Sequence, residues 1–304
     1  MSANPRAALF MALAMFGFSA NDAIVKSLTD AFSVGQIMLI RGMFATLLIG
    51  MLAWHQGALR RPSLVLNPLV AARAGCELGA TFLFLFALAN MAFSNVSAIL
   101  QSLPLAVTMG AALFFREPVR WRRWIAIAIG FTGVMVIVRP GVEGFNTFSI
   151  AVLISVCFAA TRDLITRGIP EEIPSLMIST TTALGVTIAG GIMVVPLGGW
   201  APVTASDIGL LAAAAVLLLV GYQFIILAMR TGEIAFVAPF RYTALLWAVL
   251  FGVFLFNEKL DTPMIVGSVL IIGSGLYSLY RERKVGRAKP ISDTTGEGMA
   301  PDGL

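Results

Sequence analysis

Four arginines, Arg41, Arg73, Arg162 and Arg241, lie within or at the edges of apolar runs long enough to cross a bilayer. A guanidinium at that depth costs at least ~2.5–3.5 kcal/mol on insertion scales, so each must face protein, a water-filled cavity or a partner instead of lipid. Near Arg241, in the run EIAFVAPFRYTALLWAVLFGVFLFNE from Glu233 to Glu258, Pro239 removes a backbone donor and loosens the helix, and Phe240, Tyr242 and Trp247 supply flat aromatic surface. Gln101, Ser102, Tyr222 and Gln223 are polar groups in other apolar runs. With Phe240, Arg241, Tyr242 and Trp247 they form a candidate substrate-binding set, offering ring faces and hydrogen-bond partners without a dense cluster of charge. A second set, Asp22, Arg41, Arg73, Glu77 and Asp163, carries the intramembrane charges suited to gating or ion coupling. Arg73 and Glu77 stand at i,i+4, as do Asp22 with Lys26 and Asp163 with Arg167, so a structural ion pair within each helix is the plainer expectation.

The chemistry on offer is recognition, not bond-making. His55, the only histidine, follows Trp54 at the end of a run, Cys76 and Cys157 sit in separate apolar segments, and no phosphate-cradling glycine loop occurs. No metal, cofactor, nucleophile triad or ATP site is expected, which argues against an intramembrane enzyme.

The elements that must position these residues follow from hydropathy. Of 304 residues, 58% are hydrophobic and 12% charged, with a mean hydropathy of +0.89, too uniformly apolar for a soluble domain. Ten apolar runs fall at about residues 7–27, 34–53, 69–91, 96–115, 121–138, 148–166, 176–196, 206–229, 234–256 and 263–280, each near the ~20 residues a helix needs to cross the hydrocarbon core. The expected class is an all-α integral membrane protein, and residues 281–304 read as a disordered tail. Run one could pass for a signal peptide, a reading that the repeat described next argues against. The net charge of +5 comes from residues at run ends and in the tail, which suits lipid headgroups and topology and not nucleic acid. Fourteen of the 21 basic residues fall on the side that holds both termini, and only Lys26, Arg139 and Lys259 on the other, so both termini are expected in the cytoplasm.

The second half repeats the first at an offset of about 141 residues. Asp22 falls on Asp163, Lys26 on Arg167, Glu117 on Glu258 and Phe86-Ala87-Leu88 on Leu227-Ala228-Met229. Each unit, 7–138 and 148–280, holds five spans, and an odd number makes the second copy enter from the opposite face, giving two inverted five-helix repeats. Glu117 and Glu258 end spans four and nine, where a helix-end role is expected. Small residues in spans five and ten, among them Gly130, Gly133, Gly267 and Gly273, allow close helix packing, with monomer and homodimer both open.

FALANMAFSNVSAILQSLPLAVTMGAALFFREP and ILAMRTGEIAFVAPFRYTALLWAVLFGVFLFNE resemble the paired repeat of the drug/metabolite transporter superfamily, in its ten-span EamA-type branch. The resemblance implies a carrier of a small organic metabolite with a cavity between the halves, in the cytoplasmic (inner) membrane. SANDAIVKSL and APFRYTALLWA look most like the branch of riboflavin and S-adenosylmethionine uptake carriers. Riboflavin ranks first, because the sulfonium of S-adenosylmethionine would be repelled by Arg241. S-adenosylmethionine uptake and amino-acid export follow, and a membrane partner protein without transport is the reading from another class.

Overall fold

A computed structural model describes residues 3–59, 67–115, 121–140, 146–170, 172–231 and 234–284. Arg60, Arg61, Arg116, Glu117, Arg120 and the tail beyond residue 284 lie outside the described residues. The elements are α1 (Ala3–Leu28), α2 (Val34–His55), α3 (Pro68–Asn90), α4 (Phe93–Leu100), α5 (Leu103–Phe114), α6 (Trp121–Val138), α7 (Phe148–Thr166), α8 (Ser175–Val194), α9 (Ala205–Thr231), α10 (Ile234–Val237), a 3₁₀ turn (Ala238–Tyr242), α11 (Thr243–Phe256) and α12 (Thr262–Lys284). No strand occurs among the described residues. Ten helical segments are long and apolar enough to cross a membrane, so the protein is a multi-pass membrane protein.

Crossings four and nine are interrupted. Crossing four turns at Gln101 and Ser102 between α4 and α5, with Pro104 in the first turn of α5. Crossing nine is split by the 3₁₀ turn that contains Pro239. At each break a hydroxyl reinforces the turn by adding to a carbonyl that already accepts the same residue's backbone N–H: Ser102 Oγ donates to the Ile99 carbonyl at 2.7 Å and Thr243 Oγ1 to the Phe240 carbonyl at 2.6 Å. Ser102 and Thr243 are 141 residues apart. The Ser102 side chain, expected to contact substrate, is fully buried and spent on this turn.

Every dominant helix pair joins one element from before residue 140 to one from after residue 147: α1 with α9, α3 with α7, α2 with α8, and α6 with α12. Small residues let the backbones approach. A Cβ on Gly133 would lie 2.7 Å from the Gly267 carbonyl oxygen, and one on Gly267 would lie 2.5 Å from that of Gly133, so α6 and α12 touch backbone to backbone. Between α2 and α8 the hydroxyls of Thr46 and Thr187, again 141 residues apart, share a hydrogen bond of 3.0 Å.

Ten crossings bring the chain back to the face on which it starts. On the opposite face the corner between α3 and α4 is tied from two sides. Lys26 Nζ, at the end of α1, donates to the carbonyls of Leu88 (2.7 Å) and Met91 (2.9 Å) at the end of α3, where unpaired C=O groups favour a cation. Its expected pair with Asp22 does not form, because those carbonyls hold the ammonium instead. Glu258 takes the start of α4: its carboxylate accepts from the backbone N–H of Phe93, the N–H of Ser94 at 3.0 Å and the Ser94 hydroxyl. Asn257, left-handed at φ 51°, ends α11 and lets the Glu258 N–H return to the Gly252 carbonyl at 2.9 Å. Glu258 thus has the expected helix-end role, but on a helix of the other half.

Candidate functional site

The intramembrane charges gather between α1, α2, α3, α7 and α9, around two cavities. The first, about 110 Å³, is lined by Arg41 of α2, Arg73 and Glu77 of α3, Thr182 of α8, and Tyr222 and Gln223 of α9. The second, about 170 Å³, is lined by Ser19 and Asp22 of α1, Ser97 of α4, Gln101, and Arg241 and Tyr242 of the 3₁₀ turn. The residues expected to form one substrate site are therefore divided, Tyr222 and Gln223 in one cavity and Gln101, Arg241 and Tyr242 in the other. Of the set expected to gate or couple, Arg41, Arg73 and Glu77 line the first cavity and Asp22 the second, while Asp163 is buried outside both linings.

In the first cavity the arginines are held by different means. Arg73 Nε donates to Thr166 Oγ1 at 3.0 Å and its Nη1 to Thr182 Oγ1 at 2.9 Å. Both hydroxyls give their own protons to carbonyls one turn back, Arg162 and Ile178, which leaves lone pairs to receive the guanidinium. Glu77 Oε2 accepts from Arg162 Nη1 at 2.7 Å. The pair expected within α3 is thus part of a larger cluster that ties α3 to α7 and α8. Arg162 also grips Asp163: its Nε lies 2.8 Å and its Nη2 2.7 Å from Asp163 Oδ1, both residues being almost fully buried. The neighbouring cation on α7 therefore holds Asp163, and the Arg167 guanidinium lies over the Phe115 ring, 5.7 Å from its centroid.

Asn21 connects the two cavities. Arg41 Nη1 donates to Asn21 Oδ1 at 3.2 Å, and Asn21 Nδ2 donates to Asp22 Oδ1 at 2.8 Å. Only one orientation of the amide serves both neighbours, with its oxygen toward the cation and its nitrogen toward the carboxylate.

In the second cavity two buried donors have no protein partner among the described residues, Gln101 Nε2 and the Tyr242 hydroxyl. A buried polar group without a partner costs about 1–3 kcal/mol, which a ligand acceptor or water would recover. Tyr242 reaches its position only because residue 275 is glycine, since a Cβ there would lie 1.7 Å from the hydroxyl oxygen. Two expected substrate contacts point elsewhere. Phe240 packs among apolar residues of α1 and α9 and against Phe236, and Trp247 donates from Nε1 to the Ala12 carbonyl at 3.2 Å and stacks edge-on to Phe16. Both fasten α1 to the ninth crossing. Tyr222 lines the first cavity, its ring 5.2 Å from Phe18 in a T-shaped contact.

Residues missed as candidates are Asn21, Arg162, Thr166 and Thr182. Arg162 stood out in the sequence as one of four in-span arginines, and Asn21 aligns with it at the 141-residue offset. Neither signal says what touches what.

Such an arrangement can bind charged and hydrogen-bonding groups inside a membrane. A family model for the EamA-like transporter family matches the chain twice, over residues 5–139 and 147–280. The chain belongs to this family. It is a membrane transporter of the EamA type, within the drug/metabolite transporter superfamily. An S-adenosylmethionine uptake transporter of Rickettsia conorii is 24% identical over 287 residues, covering 90% of this chain and 92% of that protein. The pseudopaline exporter CntI of Pseudomonas aeruginosa is 28% identical over 274 residues, covering 87% and 92%. A riboflavin transporter of Rhizobium johnstonii is 30% identical over 192 residues, covering 62% and 63%. A chain of known crystal structure, 16% identical, superimposes with a TM-score of 0.64 over 92% of this chain and 99% of its own, which shows a shared fold.

Proposed function

We propose that this EamA-family protein is a secondary carrier of a small organic metabolite in the inner membrane. In this reading it has no enzymatic activity, both termini are cytoplasmic, and the units 7–138 and 148–280 form inverted halves that rock against each other. The matched roles of Ser102 and Thr243 and the contact of Thr46 with Thr187 support the repeat.

The substrate read from the cavity carries a carboxylate and an amino group. The observation behind this is the lining of the first cavity, where Arg41 and Arg73 face the same space as Glu77. A carboxylate on the arginines and an ammonium near Glu77 add charge-assisted bonds to those these groups already make, which a neutral ring system does not supply. Size does not separate the two: about 110 Å³ is less than the ~150 Å³ of a cavity that takes benzene, so S-adenosylmethionine and a three-ring flavin both require considerable opening. The charge density reverses the order expected from the sequence. S-adenosylmethionine, named for the Rickettsia relative, carries the required α-amino-carboxylate and becomes the leading substrate, with amino acids and their derivatives in the same class. Riboflavin is the second reading, favoured by the Rhizobium relative and by the aromatic rings at Phe18, Tyr222 and Tyr242.

Parallel flux of labelled S-adenosylmethionine and labelled riboflavin into liposomes holding the purified protein tests this. The expected result is saturable entry of S-adenosylmethionine that excess unlabelled compound blocks and Arg41→Ala abolishes. Saturable riboflavin entry without S-adenosylmethionine entry establishes the second reading, and flux of neither removes both. A reporter fused after Tyr280 that is active only outside the membrane overturns the orientation.

A further inference from the structure

Two aspartates occupy matched positions 141 residues apart, and the structure treats them differently. Asp163 is fully buried and shares one oxygen with two nitrogens of Arg162, which also holds Glu77. Its counter-cation is the adjacent residue and is itself tethered on two sides. Asp22 is preceded by Asn21, so its direct partner is a neutral amide, and Arg41 sits one hydrogen bond further on another helix. Asp22 also lines the second cavity, within reach of water, while Arg41 lines the first.

We propose that Asp22 binds the proton that couples transport to a pH gradient, with Asn21 and Arg41 linking it to substrate. This rests on the carrier reading above. Arg41 brings one positive charge that two anions can use, Asp22 through Asn21 and a substrate carboxylate in the first cavity. When a carboxylate takes Arg41, Asp22 at membrane depth loses the cation it reaches through Asn21, and a proton from cavity water on a carboxylate oxygen removes the excess charge. By linkage the effect is reciprocal, so a protonated Asp22 frees Arg41 and tightens carboxylate binding. Substrate and proton then cross together, and the proton leaves as Arg41 returns to Asn21.

The surrounding groups fit this assignment. On the elements packed against α1, α9 contributes Tyr222, the 3₁₀ turn Arg241 and Tyr242, and α2 Arg41, while the described side chains of α10 and all of α11 contribute no titratable group. Lys26, on α1 itself, is held by the Leu88 and Met91 carbonyls. Glu77 faces Arg41 across the first cavity but is held by Arg162.

Two measurements on the full-length protein decide the matter. Infrared difference spectra of the purified protein between acid and alkaline pH should show a protonated carboxyl band that Asp22→Asn removes and Asp163→Asn keeps. A band that survives Asp22→Asn overturns the proposal, and this readout needs no substrate. In liposomes with an imposed pH gradient and labelled S-adenosylmethionine as probe, the ratio of gradient-driven accumulation to equilibrium exchange should fall about tenfold in Asp22→Asn, within the usual range of coupling energies. Accumulation that follows a sodium gradient, or an unchanged ratio in the variant, also overturns it. Should the wild type not move S-adenosylmethionine at all, the substrate reading fails and the infrared result alone judges Asp22.

Discussion

Asn21-Asp22 in α1 and Arg162-Asp163 in α7 fill the same slot in their two halves, and one residue makes them different devices. In α7 the arginine closes a compact cluster with Glu77 and Asp163, buried and bonded on both sides. In α1 the asparagine puts a neutral link between carboxylate and cation, leaving both able to change partner. A duplicated framework can therefore keep one copy of a charged position as a structural clamp and release the other for function. The difference lies in who supplies the cation, not in the aspartate.

Removing the clamp should have the largest effect. Arg162→Ala leaves Glu77 and Asp163 without that cation in the interior and should cost about 3–5 kcal/mol, seen as loss of monodisperse protein or a large fall in thermal stability in detergent. Arg41→Ala, its nearest analogue in the first half, should cost less, about 1.5–3 kcal/mol, because it removes a single hydrogen bond from a charged donor. It should abolish substrate binding, and equal destabilisation by both variants would erase the distinction between clamp and link. Glu258→Gln keeps an acceptor but removes the charge at the start of α4, costing about 0.5–2 kcal/mol and raising solvent access to a cysteine placed at Ala92. The smallest effect belongs to the contact between the halves: Thr46→Val should cost about 0.5–1.5 kcal/mol, because Thr187 keeps its bond to the Ala183 carbonyl.

Much of the fold was legible because crossing a membrane is a local property of composition. The ten runs match the ten span-length helices closely, for instance residues 121–138 and 148–166. The breaks in crossings four and nine were marked by Pro104 and Pro239, but the hydroxyls that complete them, Ser102 and Thr243, looked like ordinary polar residues in a span. The candidate site was half legible. Charged residues such as Asp22, Arg41, Arg73 and Glu77 stood out because burying them is costly. Phe240 and Trp247 could not be told from cavity residues by type alone, since an aromatic ring suits a helix contact as well as a ligand.

The sequence by itself determined which segments lie in the membrane, the 141-residue register between the two halves and the fact that several charges had to be buried. All of these follow from residue type and spacing along the chain. Only the tertiary structure decided the partners: Lys26 with the end of α3 instead of Asp22, Glu77 with Arg162, Glu258 with the start of α4, and Arg41 reaching Asp22 through Asn21. Electrostatic and hydrogen-bond energies fall off over a few ångströms, and those distances are set by which helices pack together. Residues one turn apart in a helix are close enough to pair, but a cation from a neighbouring helix, or a row of unpaired carbonyls at a helix end, competes for the same charge. In this protein the carbonyls at the end of α3 took Lys26, and Arg162 of α7 joined Glu77.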